Sequence, residues 1–281
     1  MCEKWNLSAK HGAVILPRIM IVFEAPHPSA FRRHLALVTA GVLGLLCAMD
    51  ARAQGDERLG DEYRFTLAPH HSIKGNLTGF EELGYSWSGE EDYQAFTALW
   101  PGLNYRAARW VQLTAGMRSL YTANDASADT LELRPFAGLK LLLPNRFEWH
   151  FYNYTRYEYR DTQDRDTHDW SAYHRIRSAF GVEIPLAPRA AAWQPRTWIA
   201  LAEAEPFYRC DGDEIDPVRL RCGLARILND RVIVEFLYTA QYSRPGEGEP
   251  LEYAENVLRV NLRIGLNQGV LRRLLNAGNE E

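Results

Sequence analysis

Long apolar runs are nearly missing from this chain of 281 residues, whose mean hydropathy is −0.34. A membrane helix needs about 20 consecutive apolar residues, and the segment after Gln54 contains no run of that length. The sequence therefore excludes a bundle of membrane helices. If the protein lies in a membrane, it must cross as a closed barrel of strands, because lipid leaves strand backbone groups no other hydrogen-bond partners.

Cysteine and net charge are also low, and common catalytic motifs are missing. The chain has four cysteines and a net charge of −4, so nothing indicates a nucleic-acid partner. Glycine-rich phosphate loops, Cys-x-x-Cys pairs and HExxH are absent, and the one His-x-Ser triplet, His70 to Ser72, precedes the first clear strand. We therefore predict no catalytic residue, no cofactor and no metal site. A lipid-modifying enzyme is only a third hypothesis.

The residues before Gln54 have the three-part form of a secretory signal peptide. The basic pair Arg32-Arg33 precedes the apolar run 35–48, and Ala51-Arg52-Ala53 offers a small-x-small cleavage site. We predict a signal peptide over residues 1–53, with an over-extended N-terminus ahead of the true translation start. The alternative, a retained anchor helix, is disfavoured because the apolar run is too short to span a bilayer comfortably.

Behind this leader, apolar and charged residues alternate with a period of two. In the run 256–266, Leu258 and Val260 alternate with Arg259 and Arg263 among other residues. Successive strand side chains point to opposite faces, so each such segment has one apolar and one polar face. Ten segments alternate in this way, at roughly 75–88, 92–106, 109–121, 130–144, 146–161, 168–186, 197–210, 217–228, 231–244 and 252–266.

Short turns and longer polar loops take turns along the chain, which is typical of outer-membrane barrels. The exception is the link 187–196 on the short-turn side. We predict an all-β, antiparallel, up-and-down transmembrane barrel over residues 54–266, followed by a tail at 267–281. Ten strands are expected; residues 61–72 plus one further strand would give twelve. Aromatic residues near strand ends fit girdles at the two interfaces, and a soluble sandwich or barrel is the alternative class.

The charged faces must point into the barrel, because Arg or Lys on the lipid face costs about 2–4 kcal/mol near the bilayer midplane. In a narrow lumen long Arg and Glu side chains would meet and pair. We favour a polar core that fills the barrel of a non-enzymatic envelope protein, over a narrow channel for small charged solutes. The predicted lumen charge network consists of Glu132, Arg134, Glu148, Arg156, Glu158, Arg175, Arg177, Glu203, Glu205, Arg219, Arg221, Glu235, Arg259 and Arg263.

Two cysteines remain behind the leader, Cys210 and Cys222, and they flank the acidic segment 211–217. Export permits a disulfide. In a hairpin centred near Asp216 the two residues would face each other across the strands, which predicts a possible disulfide. Two free thiols are the alternative.

Several stretches carry a resemblance to a known family. These are RFEWHFYNYTRYEYR at 146–160, HRIR at 174–177, the Glu203/Glu205 strand, VRLRCGL at 218–224 and VLRVNLR at 257–263. Over roughly 62–266 the chain resembles the domain-of-unknown-function family 2490. The resemblance implies an exported barrel in the outer membrane and no catalytic residues. We predict a Gram-negative cell, with outer-membrane lipid and, during biogenesis, the barrel-assembly machinery as partners and no nucleic acid. One departure is the last strand, which ends at Gly265-Leu266 instead of an aromatic residue.

Overall fold

A computed structural model describes residues 60–88, 93–125, 127–144, 148–211, 214–246, 249–267 and 269–271. The predicted signal peptide at 1–53 and most of the predicted tail lie outside these residues. The described strands are β1 Gly60–Lys74, β2 Leu77–Ser88, β3 Tyr93–Ala108, β4 Val111–Asn124, β5 Thr130–Leu143, β6 His150–Asp164, β7 Trp170–Pro185, β8 Trp198–Arg209, β9 Glu214–Asn229, β10 Val232–Ser243 and β11 Glu252–Gly265.

These strands form one closed barrel in chain order, and each strand is antiparallel to the next. The all-β barrel that the alternation predicts is thereby confirmed. The described strands number eleven, however, rather than ten or twelve. The segment left optional in the sequence is β1, and it closes the barrel by pairing in parallel with β11. Because this pair is parallel, no twelfth strand is needed, and the first and last strands begin at the same end of the barrel.

The two ends of the barrel differ in their connections. We call one the turn end, because β1–β2, β3–β4 and β9–β10 are joined there by two-residue connections. The connection 186–197, which contains a 3-10 helix at Arg189–Ala191, also lies at the turn end. The opposite end, with the connections 125–129, 165–169 and 244–251, is the loop end.

The apolar faces of the strands point outward and are exposed. Among many examples, Phe96 on β3 is 52 % exposed, Phe180 on β7 is 57 % exposed and Phe236 on β10 is 50 % exposed. The charged faces point inward, and Glu158 on β6 is fully buried. Charged side chains are almost never fully buried unless they are paired, so the inward charges are expected to lie in ion pairs. None of the described helical segments is long and apolar enough to cross a bilayer.

Candidate functional site

The centre of the lumen is a set of ion pairs built around Glu158. Strand alternation turns Glu158 inward on β6, and the register places it opposite Arg175 on β7. Its carboxylate contacts the guanidinium groups of Arg156 and Arg175, and Arg177 Nη1 lies 3.5 Å from Glu158 Oε1. An ionised carboxylate has about four lone-pair sites, so one buried glutamate can serve three arginines.

The pairs continue from Glu158 onto β8 and β9. Arg177 also contacts Glu205, with Nε 2.6 Å from Oε1. Arg221 Nη1 lies 2.5 Å from Glu203 Oε1, and Arg221 Nη2 lies 3.8 Å from Glu205 Oε2. Neighbouring strands are therefore linked by shared carboxylates as well as by backbone hydrogen bonds, and each charge named so far is offset by an opposite charge in contact with it.

Similar pairs line the other side of the lumen. Arg134 and Arg160 both contact Glu132. Three strands meet at one further carboxylate, since Glu82 on β2 pairs with Arg118 on β4 at 2.9 Å and with Arg259 on β11 at 3.6 Å. In the same part of the lumen, Arg64 lies 2.5 Å from Glu62.

One buried aromatic ring contacts several arginines of the network. Phe207 on β8 is fully buried, and the guanidinium carbons of three arginines lie 4.6–4.9 Å from the centre of its ring. These arginines are Arg175, Arg177 and Arg219. A ring face attracts cations within about 6 Å, so Phe207 lowers the cost of gathering like charges.

A cavity of about 470 Å³ lies on the loop-end side of the lumen, and these paired residues form part of its wall. Ten arginines and three glutamates are among its lining residues. The charged members of the lining are Glu62, Arg64, Glu82, Arg118, Arg134, Arg156, Arg160, Arg175, Arg177, Arg219, Arg221, Glu255 and Arg259.

The turn end of the lumen is apolar on the side of β8 to β10. We call this cluster the turn-end plug; it consists of Ala192, Trp193, Ile199, Ala225, Ile227, Ile233, Val270 and Leu271. Trp193, whose φ is 60°, stacks on His150 with 3.7 Å between ring centres, and its Nε1 donates to the Glu148 carbonyl oxygen at 2.9 Å. The link 187–196, which breaks the pattern of short turns, thus supplies two members of the plug.

The predicted lumen residues fall into four groups. Those on β5 to β9 other than Arg219, together with Arg259, belong to the pairs described above. Arg219 instead contacts the Phe207 ring. Glu235 and Arg263 form a separate pair, 2.7 Å apart, nearer the turn end. Glu148 lies outside the lumen network: it precedes β6, has a φ of 58°, and accepts a 2.8 Å hydrogen bond from the exposed Arg189. Strand alternation does not reach Glu148, because β6 begins at His150.

The predicted disulfide does not form, since Cys210 and Cys222 are free thiols. Cys210 is exposed beyond the end of β8, whereas Cys222 is buried on β9 opposite Ala202. Strands β8 and β9 are already paired at Arg209 and Glu214. The hairpin therefore turns several residues before the expected centre, and the two thiols lie at different heights along the barrel.

Several lumen residues were not part of the predicted network. They are Glu62, Arg64, Glu82 and Arg118 together with the ring of Phe207. Strand alternation identifies all of them, because each lies an even number of positions from the inward residues of its own strand. Among the described residues, no cluster of three or more His, Cys, Asp or Glu side chains has the arrangement of a metal site.

Comparison with known proteins agrees with the resemblance seen in the sequence. The model of a family described as "Protein of unknown function (DUF2490)" matches residues 63–251. This range begins in β1 and ends just before β11, so it contains the strands that carry the Glu158 pairs and most of the cavity lining. No curated protein matches the chain. Because the match covers more than half of its length, the chain belongs to the DUF2490 family.

Proposed function

We propose that this protein is a non-enzymatic outer-membrane barrel whose lumen is a blind cup, closed by the turn-end plug and open at the loop end. The single observation that carries the proposal is the reversal of the two faces. Large apolar side chains are exposed on the outward face of every side of the barrel, while the charged side chains are buried inside.

The energetics of the outward face support lipid as its surroundings. Burying apolar surface is worth about 25 cal/mol per Å², and monomeric soluble proteins rarely expose apolar patches of more than a few hundred Å². Exposed tryptophan, phenylalanine and leucine side chains occur here on strands from β1 to β11. One protein partner covers one side, whereas lipid covers the whole circumference.

The connections suggest an orientation. Short turns face the periplasm and long loops face the outside in outer-membrane barrels, so the turn end is the periplasmic one. The odd strand count departs from the even number usual in bacterial outer-membrane barrels, although membrane barrels with odd numbers of strands exist. In this orientation the charged cavity opens to the exterior.

Location is tested by fractionation of cells that produce the full chain, combined with gel migration before and after heating. We expect the protein in the outer-membrane fraction and a shift of its band on heating. Phe236→Arg, which places a charge on the outward face of β10, should reduce the folded fraction in membranes, because Arg near the midplane costs about 2–4 kcal/mol. Thr97→Arg, at an inward position that lines the cavity and takes part in no ion pair, is the matched control. Recovery of folded wild-type protein in the soluble fraction would contradict the proposal.

Closure of the lumen is tested separately by planar-bilayer recordings of the refolded barrel. We expect no discrete conductance steps, because ion pairs occupy the middle of the lumen and the turn-end plug lies beneath them. Regular single-channel steps from the wild-type protein would replace the cup by a narrow channel for small charged solutes.

A further inference from the structure

The lining of the loop-end cavity is unbalanced in charge. Ten guanidinium groups line it, and seven carboxylates line it or pair with those groups. Nine of the arginines share six carboxylates through the ion pairs described above. The seventh carboxylate, Glu255, lines the cavity directly. Positive charge is therefore in excess at this place in the barrel.

Arg219 is the clearest source of the excess. Its Nε donates to Gln241 Oε1 at 2.6 Å, and its guanidinium carbon lies 4.9 Å from the centre of the Phe207 ring. Within the described side chains it forms no ion pair, although it lies in the wall of the cavity. Arg219 is half-buried, and its cross-strand neighbour Glu205 makes its ion pairs with Arg177 and Arg221 instead. An anion in the cavity would give Arg219 a counter-charge in direct contact.

Two further donors in the wall have no acceptor. Arg118 Nε and Arg156 Nε are buried and make no hydrogen bond, and both residues line the cavity. The Arg156 side chain is 8 % exposed. Buried N–H groups without a partner cost about 1–3 kcal/mol each, and buried polar atoms in folded proteins nearly always have one. An acceptor bound in the lumen would satisfy these donors.

From these three observations we propose that the loop-end cavity binds a small doubly charged oxyanion of the phosphate type, either free phosphate or a phosphate monoester. The guanidinium fork matches phosphate oxygens and forms paired, charge-assisted hydrogen bonds with them. The volume of about 470 Å³ lies within the usual range of small-molecule sites, about 300–1,000 Å³. A divalent cation is excluded by the surplus of positive charge. The inference rests on the proposed cup only in requiring that the cavity be open at the loop end.

The direct test is isothermal titration calorimetry of the full chain, refolded in detergent, with inorganic phosphate as the probe. We expect saturable one-site binding in the wild-type protein and binding weaker by about tenfold or more in Arg219→Gln, because a hydrogen bond to a charged group is lost. Arg189→Gln is the matched control: it removes the same charge from an exposed position at the turn end and should bind phosphate as the wild type does. Chloride at the same ionic strength should give no saturable heat.

A second variant keeps the test decisive if Arg219→Gln does not fold. Thr97 lines the cavity but takes part in none of its ion pairs, and Thr97→Glu adds a carboxylate to the wall. We expect this variant to weaken phosphate binding by about tenfold or more, because it offsets part of the surplus charge. Folding of each variant is checked by its heat-dependent gel shift. Absence of saturable binding to the folded wild type, or equal binding by wild type and both variants, would overturn the proposal.

The phosphate group has two sources, and a parallel titration separates them. One arm uses inorganic phosphate, and the other uses dihexanoyl phosphatidic acid below its critical micelle concentration. Binding of inorganic phosphate alone assigns the free anion, whereas binding in both arms with higher affinity in the lipid arm assigns a lipid headgroup that carries the same phosphate group. Binding in the lipid arm without binding of inorganic phosphate overturns the proposal. Binding is measured on refolded protein irrespective of cellular location, so a soluble fractionation result contradicts the membrane proposal and leaves the oxyanion site standing, and the reverse also holds.

Discussion

The lumen has two halves that differ in chemistry although the same strands build both. Towards the loop end the inward side chains of β8 and β9 are charged, as at Glu205 and Arg221, whereas towards the turn end they are apolar, as at Ile199 and Ile227. Gly223 lies between the two halves, and the β8–β9 pairing runs through it without a break. Charge and closure are thus separate properties of this barrel, since each is encoded by different residues on one continuous scaffold.

The largest effect is expected from the centre of the charged half. Glu158→Gln removes the negative charge from a fully buried side chain and leaves three guanidinium groups without their shared partner. We expect a loss of about 3–5 kcal/mol in the free energy of unfolding, measured by denaturant unfolding of the refolded barrel. Glu148→Gln, which breaks a pair with an exposed arginine, should change it by less than about 1 kcal/mol. Equal changes in the free energy of unfolding for the two substitutions would show that the buried pairs contribute no more to stability than the exposed pair.

The apolar half is tested by Trp193→Ala. Removing the ring that stacks on His150 leaves a gap in the turn-end plug, so we expect a loss of about 3 kcal/mol together with an increased ion leak in bilayer recordings. Trp110→Ala, at the exposed β3–β4 turn of the same end, is the control and should do neither. If Trp193→Ala leaves both the stability and the ion leak of the barrel unchanged, the turn-end plug does not close the lumen.

The boundary between the halves is tested at Gly223. A Cβ added there would lie 2.1 Å from the Phe236 carbonyl oxygen, a backbone atom. We expect Gly223→Ala to destabilise the barrel by about 1–3 kcal/mol through overpacking, measured in the same unfolding assay. Gly84→Ala is the milder control, since the nearest atom to its Cβ would be Thr97 Cβ at 3.3 Å, and the nearest backbone atom, the Phe65 carbonyl oxygen, would be 3.7 Å away. A neutral Gly223→Ala would mean that β9 and β10 separate easily at this height.

The smallest effect is expected at the loop rim. The Tyr121 hydroxyl and the Asn124 backbone N–H both donate to Asp129 and lower the pKa of its carboxyl. A lowered pKa in the folded state means that the stabilisation is present above the unfolded-state value, about 3.9, and is lost as the pH falls through the folded-state value. NMR titration of the Asp129 carboxyl carbon should give a midpoint below that value. In Tyr121→Phe the midpoint should move back toward it, and an unchanged midpoint would exclude the phenol as the cause.

Much of the fold follows from local alternation. A period of two decides which side chains enter the lumen. By the same alternation His150 is buried, whereas His174 lies on the outward face and stacks with Tyr157. The role of β1 does not follow from it. Its pairing with β11 joins residues that are almost two hundred positions apart, and no local pattern specifies such a contact.

Alternation also does not predict which charged side chains pair with each other inside the lumen. Which arginine meets which carboxylate depends on register, and register depends on where each hairpin turns. The β8–β9 hairpin turns earlier than its acidic residues suggest, which separates Cys210 from Cys222. The start of β6 has a similar effect, since it leaves Glu148 outside the lumen. Parity is readable from the sequence, whereas strand ends and bulges are set by the closed barrel as a whole.

The parallel pair of β1 and β11 has a consequence for biogenesis. Glu62 and Arg64 are contributed by the first strand and Arg259 by the last, and all three stand in the cavity wall. The wall is therefore incomplete until the first and last strands of the barrel have paired. Only molecules in which β1 has paired with β11 would have a complete cavity wall. Phosphate binding by a refolding sample would therefore measure the fraction of molecules whose barrel has closed.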